Sequence, residues 1–431
     1  MVRKHPKLKR EIGLWQVVLA GIGIILGAGI YVLIGRAAAL SGNAVWISFL
    51  ISALVAMLTG LSYAELSSIF PRAGAEYVYT KRAFGYRLSL VVGWLLVLSG
   101  FVFASTVSLG FAGYFLKLFG SPIIPTAAVL IVLLSFLLYY GVKESIWFAV
   151  VFTLIEVSGL IIIIAMAAPY LGSVNYLSFP SISGVFQAAA LIFFAYIGFE
   201  QITRLSEETK NPDRNIPRAL ILSIIITTVL YIFVAISAVS ILDWQTLGQS
   251  EAPLADVAAR AFGPNAFTIM AVIALFATAN TVLLMMLATS RILYGIGRSF
   301  SGKNIFARLH SKRNTPWIAT LVVMFFSILF LGFGDIGIVA NITDFLIFFT
   351  FIIINLSVIR IRYMGFDKER EFRIPLNIGR FPVIPVLGIL SCLILMIYMD
   401  AVIMLYSAIL IVLGFLFFEI LNRKGIRARF E

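Results

Sequence analysis

The sequence predicts an all-α integral membrane protein with about twelve transmembrane helices. Its 431 residues are 61% hydrophobic and only 12% charged, whereas a soluble domain is about half apolar and about a quarter charged. The apolar runs are close to the roughly 20 residues that a helix needs to cross a bilayer, and they lack the alternation over about ten residues of a barrel strand. The basic residues are also distributed very unevenly along the chain.

The distribution of Lys and Arg predicts the orientation in the membrane. The predicted spans are 13–35, 44–66, 88–116, 123–141, 146–169, 184–203, 217–241, 266–297, 317–333, 336–359, 382–399 and 401–420. With the N-terminus in the cytoplasm, all 33 Lys and Arg residues except Arg36, Lys117 and Arg260 fall on the inner side. This positive-inside bias places both termini in the cytoplasm of a cell-membrane protein. The net charge of +13 then suits contact with anionic lipid head groups, and no nucleic-acid partner is expected.

Composition and motifs argue against an enzyme. The single cysteine, Cys392, rules out an internal disulfide framework, and the two histidines, His5 and His310, lie in basic polar segments. The sequence contains no G-x-S-x-G or P-loop pattern, so no cofactor or metal is expected. The first apolar run is too long for a cleavable signal. A channel remains an alternative, whereas a receptor would need a soluble signalling domain, for which the predicted spans leave no room.

Two spans carry unusual residues for a membrane helix. Residues 21–31, GIGIILGAGIY, include four glycines, each of which costs roughly 1 kcal/mol relative to alanine inside a helix. Residues 193–200 of the sixth span, FFAYIGFE, include a glycine and a carboxylate. Broken backbone in a bilayer must be buried or line a watery cavity, although glycines also allow close helix packing. Because five spans make an odd number, a second five-span unit would be inverted, and interrupted helices at matching positions indicate a midplane transport site.

Several motifs resemble those of the amino acid–polyamine–organocation (APC) transporters. Residues 21–31 resemble the family pattern GxGxIIGxGIF. Similar matches occur, in family order, at residues 71–79 with 84–85, 194–200, 207–212 with 214–219, and 291–298. The resemblance covers roughly residues 10–360.

The resemblance implies a fold of two inverted five-helix repeats, with helices 1 and 6 broken, that carries amino acids by alternating access. The repeats would be residues 13–169 and 184–360, followed by two extra helices at 382–420. Basic cytoplasmic segments, 1–12 and 421–431, would flank them.

The resemblance also implies which residues bind substrate. Main-chain amides of Gly27, Ala28 and Gly29 would hold the carboxylate, and carbonyls of Ile25, Phe194 and Ile197 would hold the ammonium group. These roles agree with the partial charges at the ends of broken helices. Ala195 and Gly198 lie in the same motif, and Phe194 would also act as a lid over the substrate.

Three acidic residues within the spans are candidates for function, because a carboxylate in mid-bilayer is costly. Glu65 and Glu200 lie toward the cytoplasmic ends of their spans, where a gating role or a salt bridge with an arginine is expected. Glu156 lies deep in span 5, where several proton-coupled relatives have a lysine. It could carry a proton, with Asn280 and Thr281 alongside, or ligate sodium, or be a neutral structural residue. We favour proton coupling.

Substrate preference is predicted from spans 3 and 8. The cationic amino acid branch resembles GWxLILEY, whereas residues 93–100 read GWLLVLSG, so Ser99 replaces the acid. Met285, which aligns near the pocket, is apolar and adaptable. The sequence therefore favours proton-coupled symport of neutral amino acids. The alternatives are an amino acid or polyamine exchanger, a sodium-coupled symporter and a cationic amino acid transporter.

Overall fold

The computed structural model describes residues 10–71, 75–140, 146–299, 305–310, 313, 315–365 and 371–423. Most of the predicted basic N-terminal segment, positions 72–74 of the 71–79 motif, and the basic tail from residue 424 onward lie outside the described residues.

Helices make up most of the described chain. The first part contains α1 (Leu14–Leu26), α2 (Gly29–Ser41), α3 (Val45–Ile69), α4 (Ala75–Phe84), α5 (Tyr86–Phe119), α6 (Ile123–Tyr140) and α7 (Ile146–Met166). Short 3₁₀ turns at Gly42–Ala44 and Ala168–Tyr170 follow α2 and α7.

The second part begins with α8 (Ile182–Ile192), which continues into two 3₁₀ segments, Phe193–Tyr196 and Phe199–Glu207. The helices that follow are α9 (Pro212–Ile241), α10 (Trp244–Gly248), α11 (Pro253–Phe262), α12 (Pro264–Ser299), α13 (Trp317–Phe330) and α14 (Ile336–Tyr363). Further 3₁₀ turns lie at Ile305–Ala307 and Leu331–Phe333. A two-stranded antiparallel hairpin, β1 (Asn377–Ile378) and β2 (Phe381–Pro382), precedes α15 (Val383–Ile397) and α16 (Ala401–Arg423).

The helices confirm a multi-pass helical membrane protein. Seven described segments are long and apolar enough to cross a bilayer, and five shorter apolar helices accompany them. Large apolar side chains such as Leu133 and Phe136 of α6 are more than half exposed, as expected for surfaces that face lipid. A short amphipathic helix, α11, lies between α10 and α12.

The core is centred on α5, which is buried along most of its length and packs against α12 and α14. Helix α3 packs against α9 beside it. Glycines of α5 allow α12 and α2 to come close. A Cβ added to Gly100 would lie 2.0 Å from Oγ1 of Thr289 on α12, and one added to Gly110 would lie 2.1 Å from Cγ1 of Val32 on α2. Such contacts between small and branched residues are typical of membrane helix interfaces.

One end of the bundle gathers residues 10–12, 204–214 and 371–374, and we call it the N-terminal face. Ile12 forms a parallel β-bridge with Thr209. Arg214 forms a salt bridge of 3.1 Å with Glu371. At the other end of α14, Asp335 forms a 3.3 Å salt bridge with Arg36. The end of the bundle that contains Asp335 is therefore the face opposite to the N-terminal face.

Candidate substrate site

The first predicted break lies between α1 and α2. Helix α1 ends at Leu26 and α2 begins at Gly29, so Gly27 and Ala28 interrupt the helix. The Ala28 N–H donates to Oγ1 of Thr281 on α12, at 3.1 Å. An interruption of this kind exposes amides at the start of α2, where the helix dipole favours a negative group.

The second break follows α8. The 3₁₀ turn Phe193–Tyr196 ends at Ile197, and the chain resumes after Gly198 as a nine-residue 3₁₀ segment, which is unusually long for this conformation. Gly198 has φ +124°, and a Cβ there would lie 2.9 Å from the Ile24 carbonyl oxygen. Glycine therefore suits this position both for its backbone conformation and for the close approach of α1.

The two breaks lie against each other. A Cβ added to Gly29 would lie 2.5 Å from Cα of Ala195, so only a glycine allows this approach without a shift of the main chain. The two breaks contain eight of the residues predicted to form the substrate site: Ile25, Gly27, Ala28, Gly29, Phe194, Ala195, Ile197 and Gly198. By contrast, Gly21 and Gly23 face Ser223 and Thr153 on neighbouring helices, as expected for packing.

Tyr231 of α9 connects the two breaks, and the sequence did not indicate it. Its hydroxyl lies 2.9 Å from the Ile25 carbonyl oxygen and 3.0 Å from the Ala195 carbonyl oxygen. A phenol has one hydrogen to donate, so these two acceptors share it. The side chain is fully buried, and the edge of its ring meets Tyr196 at 5.3 Å between centroids.

A small cavity lies beside the second break. Its volume is about 20 Å³, room for about one water molecule and too small for an amino acid, and we call this arrangement the closed conformation. Ser99 and Met285, both predicted from the sequence, line this cavity together with Ile197. The Phe194 ring stacks on Phe103 at 4.3 Å between centroids. A larger depression of about 440 Å³ near Lys117 and Pro264 is wide open and contains none of the predicted site residues.

Glu156 lies on α7 next to the first break. Its side chain is 2% exposed, and Oε1 has no hydrogen-bond partner among the described residues. The Asn280 side chain interacts with this carboxyl, as the sequence predicted. Tyr31 of α2 donates to the Glu156 main-chain carbonyl at 2.6 Å. Thr281, the third member of the predicted group, instead accepts from Ala28 of the first break.

Glu65 and Glu200 have different environments. Glu65 forms a salt bridge with Arg362 in which both side chains are 1% exposed, and the Ile374 N–H donates to its Oε2 at 2.9 Å. This is the arginine pair expected from the sequence. Glu200 instead accepts from the Gly198 N–H at 2.9 Å, so it stabilises the second break. The nearby Arg204 lies 3.6 Å from Glu76.

Asp344 is a buried acid that the sequence interpretation missed. It lies on α14 with 0% exposure, and neither carboxyl oxygen makes a hydrogen bond of ordinary geometry with the described residues. The main-chain N–H of Phe194, in the second break, faces it. The sequence alone could have indicated this residue, because Asp344 is an acidic residue inside the predicted span 336–359. Among the described residues, no three His, Cys, Asp or Glu side chains come together as a metal site.

Comparisons with known proteins identify the family of this chain. The sequence profile of the family described as amino acid permease matches residues 12–418. The branched-chain amino acid permease BcaP of Bacillus subtilis is 30% identical, with 97% of this chain and 94% of the relative covered. The methylthioribose transporter of the same bacterium is 29% identical, over 98% and 95% of the two chains.

A more distant relative comes from a plant. Cationic amino acid transporter 7 of Arabidopsis thaliana is 27% identical, over 83% of this chain and 66% of its own. All three relatives are named as transporters or permeases, so the family relationship makes this chain a transporter and not an enzyme. The resemblance to APC transporters predicted from the motifs is confirmed, and the chain belongs to the amino acid permease family of the APC superfamily.

Proposed function

We propose that this protein carries neutral amino acids across the cell membrane by alternating access, driven by proton symport. The observation that carries the proposal is that the two helix breaks lie against each other, with Gly29 packed on the main chain of Ala195. A free amino acid has a carboxylate and an ammonium group one carbon apart. Two abutting breaks offer main-chain amides and carbonyls at a similarly short separation.

In this proposal the amides of Gly27, Ala28 and Gly29 bind the carboxylate. The carbonyls of Ile25, Phe194 and Ile197 bind the ammonium group. Two of these groups have side-chain partners in the closed conformation: the Ala28 N–H donates to Thr281, and the Ile25 carbonyl accepts from Tyr231. A substrate would replace both contacts, so binding exchanges one set of hydrogen bonds for another. The broken helices belong to the proposed inverted five-helix repeats, 13–169 and 184–360, within twelve spans.

The lining of the small cavity supports a neutral side chain in the substrate. Ser99, Phe103, Ile197 and Met285 line it beside the second break. The lining also contains one acid and one base, Glu200 and Arg204, whose formal charges have opposite signs. The acid that would attract a cationic side chain is absent from position 99. The name of the 30% identical relative, a branched-chain amino acid permease, points in the same direction, whereas methylthioribose in the name of the second relative makes a wider screen necessary.

The substrate class is tested by binding of the purified protein to the twenty amino acids, to polyamines and to methylthioribose, measured as thermal stabilisation in detergent. We expect leucine, isoleucine and valine to stabilise the protein and to compete for uptake of labelled leucine into proteoliposomes. Stabilisation by arginine or a polyamine without any effect of leucine would overturn the assignment to neutral amino acids.

The proposed coupling group is Glu156. Its enclosed carboxyl, beside Asn280 and the first break, can exchange a proton when the bundle opens, because an unpaired charge is costly in so dry a site. We expect Glu156→Gln to bind leucine with wild-type affinity and to have a weaker pH dependence of uptake than the wild type. Glu251→Gln serves as a control, since Glu251 is only partly buried and lies outside the site. A Glu156→Gln protein that still concentrates leucine with an unchanged pH response would rule out this role.

The proposed orientation places both termini in the cytoplasm of the cell that makes the protein. The only cysteine, Cys392, is buried, so cysteine labelling has a low background. We expect Lys117→Cys to react with a membrane-impermeant maleimide on intact cells. Arg308→Cys should react only after the membrane is permeabilised. The reverse pattern would invert the proposed topology.

A further inference from the structure

The two halves of the chain each contain a buried acid in corresponding places. Glu156 lies in α7, the fifth predicted span of the first half, beside the break between α1 and α2. Asp344 lies in α14, the fifth predicted span of the second half, beside the break that follows α8. Both side chains are enclosed, at 2% and 0% exposure.

We propose that Asp344 is a second proton-binding site of this transporter, located at the second helix break. The proposal rests on the proposed transport function and extends it to a group that the coupling role of Glu156 does not use. In the closed conformation the Asp344 carboxyl holds the proton. It exchanges this proton when the second break moves during transport.

The surroundings of Asp344 support a proton as its ligand in the closed conformation. Neither carboxyl oxygen has a hydrogen bond of ordinary geometry, and the Phe194 N–H is the main-chain donor that faces the carboxyl. Burial of an ionised carboxylate without a partner is far more costly than burial of the neutral acid. A single amide N–H offers less than the two or three hydrogen bonds that usually accompany a buried carboxylate.

The charged groups of the elements packed against α14 are occupied elsewhere or lie at helix ends. Six of these groups form salt bridges with one another: Glu65 with Arg362, Arg36 with Asp335, and Glu76 with Arg204. Other basic side chains on packed helices are Arg82, Arg87 and Lys117, which are exposed, and Lys81, which is half-buried. None of these groups acts on the Asp344 carboxyl among the described residues, so no fixed cation neutralises it.

The proposed route for the proton is the small cavity beside the second break. Thr343 and Ile347, which flank Asp344 along α14, line the 20 Å³ cavity beside the second break. When this cavity widens to admit an amino acid, water reaches the helix turn that carries Asp344. Phe194 links the substrate to Asp344, because its ring stacks on Phe103 while its main-chain N–H faces the Asp344 carboxyl. A substrate that displaces this ring therefore changes the environment of the carboxyl directly.

The test counts protons exchanged when leucine binds to the full-length protein in weakly buffered detergent solution with a pH-sensitive dye. The measurement is repeated across pH for the wild type, Glu156→Gln, Asp344→Asn and the control Asp335→Asn at the start of the same helix. We expect Glu156→Gln to retain proton exchange. Asp344→Asn should lower the exchange relative to Asp335→Asn, and the double variant of residues 156 and 344 should abolish it.

Two outcomes would overturn the proposal. If Glu156→Gln exchanges no protons, Asp344 does not titrate with transport, and this result needs no substitution at residue 344. If leucine binding to Glu156→Gln depends on sodium and not on pH, the site binds a metal cation instead. An infrared comparison without leucine separates this test from the transport proposal: the spectrum of the wild type minus that of Asp344→Asn should contain a protonated-carboxyl band. Absence of that band at neutral pH overturns the proposal whether or not leucine is a substrate.

Discussion

The substitution Tyr231→Phe removes a single hydroxyl from the place where the two helix breaks meet. That hydroxyl lies 2.9 Å from the Ile25 carbonyl oxygen and 3.0 Å from the Ala195 carbonyl oxygen. Both carbonyls belong to residues that are 2% exposed, and carbonyls at a helix end lack an intrahelical partner. The substitution leaves the phenyl ring in place, so the packing around residue 231 should be preserved.

The expected loss of stability follows from the unpaired acceptors. A buried polar group that loses its partner costs about 1–3 kcal/mol, so we expect the ligand-free protein to lose about that much free energy of unfolding. An ammonium group carries three hydrogens to donate, and the Ile25 carbonyl is one of its proposed acceptors. Leucine should therefore stabilise Tyr231→Phe more than it stabilises the wild type, because the substrate restores a donor that the variant lacks.

Thermal unfolding with and without leucine measures both effects. Tyr114→Phe is the matched control, since its buried hydroxyl donates to the Tyr31 carbonyl at 2.7 Å. That carbonyl lies within α2 and has a helical partner as well, so we expect a smaller loss and a leucine effect equal to that of the wild type. Equal ligand-free stabilities and equal leucine effects in Tyr231→Phe and the wild type would refute the role assigned to this hydroxyl.

Two further substitutions test the packing of the two breaks and the buried salt bridge between Glu65 and Arg362. Gly29→Ala places a methyl group 2.5 Å from Cα of Ala195; overpacking of about 1–3 kcal/mol should weaken leucine binding about 5–150-fold. Gly295→Ala has no atom within 4 Å of the added methyl and should leave binding unchanged, so equal affinities in the two variants would contradict the expectation. Arg362→Met leaves the buried carboxylate of Glu65 uncompensated and should lower stability by about 3–5 kcal/mol in thermal unfolding. A second change, Glu65→Met, should restore much of that loss, and an unchanged melting temperature in the single variant would argue against a stabilising pair.

The positions of the two breaks were predictable because their causes are local. Glycine in the first span and the glycine and carboxylate of residues 193–200 disfavour a continuous apolar helix whatever surrounds them. The structure narrows the first interruption to Gly27 and Ala28. The second lies at Ile197 and Gly198. The presence of apolar helices followed equally well from hydropathy, because an apolar run can be read directly from the sequence.

The partners across the bundle could not be predicted in the same way. Tyr231 is an ordinary aromatic residue in an apolar helix, and its role comes from the approach of two distant carbonyls. Glu200 was expected to pair with an arginine, but it accepts from Gly198 while Arg204 lies near Glu76. Glu200 and Arg204 both lie on the long 3₁₀ segment, which determines where their side chains point. No periodicity in the sequence predicts this segment. Asp344 is different, because an acid inside a predicted span is visible in the sequence.

The proton-coupled uptake of leucine is the central claim, and accumulation in proteoliposomes tests it most directly. The vesicles contain no amino acid and no sodium, and an inwardly directed proton gradient is the only driving force. We predict that labelled leucine accumulates above its external concentration and that a protonophore abolishes the accumulation. Uptake that occurs only after amino acid is loaded inside, or only when sodium is added, would contradict proton symport.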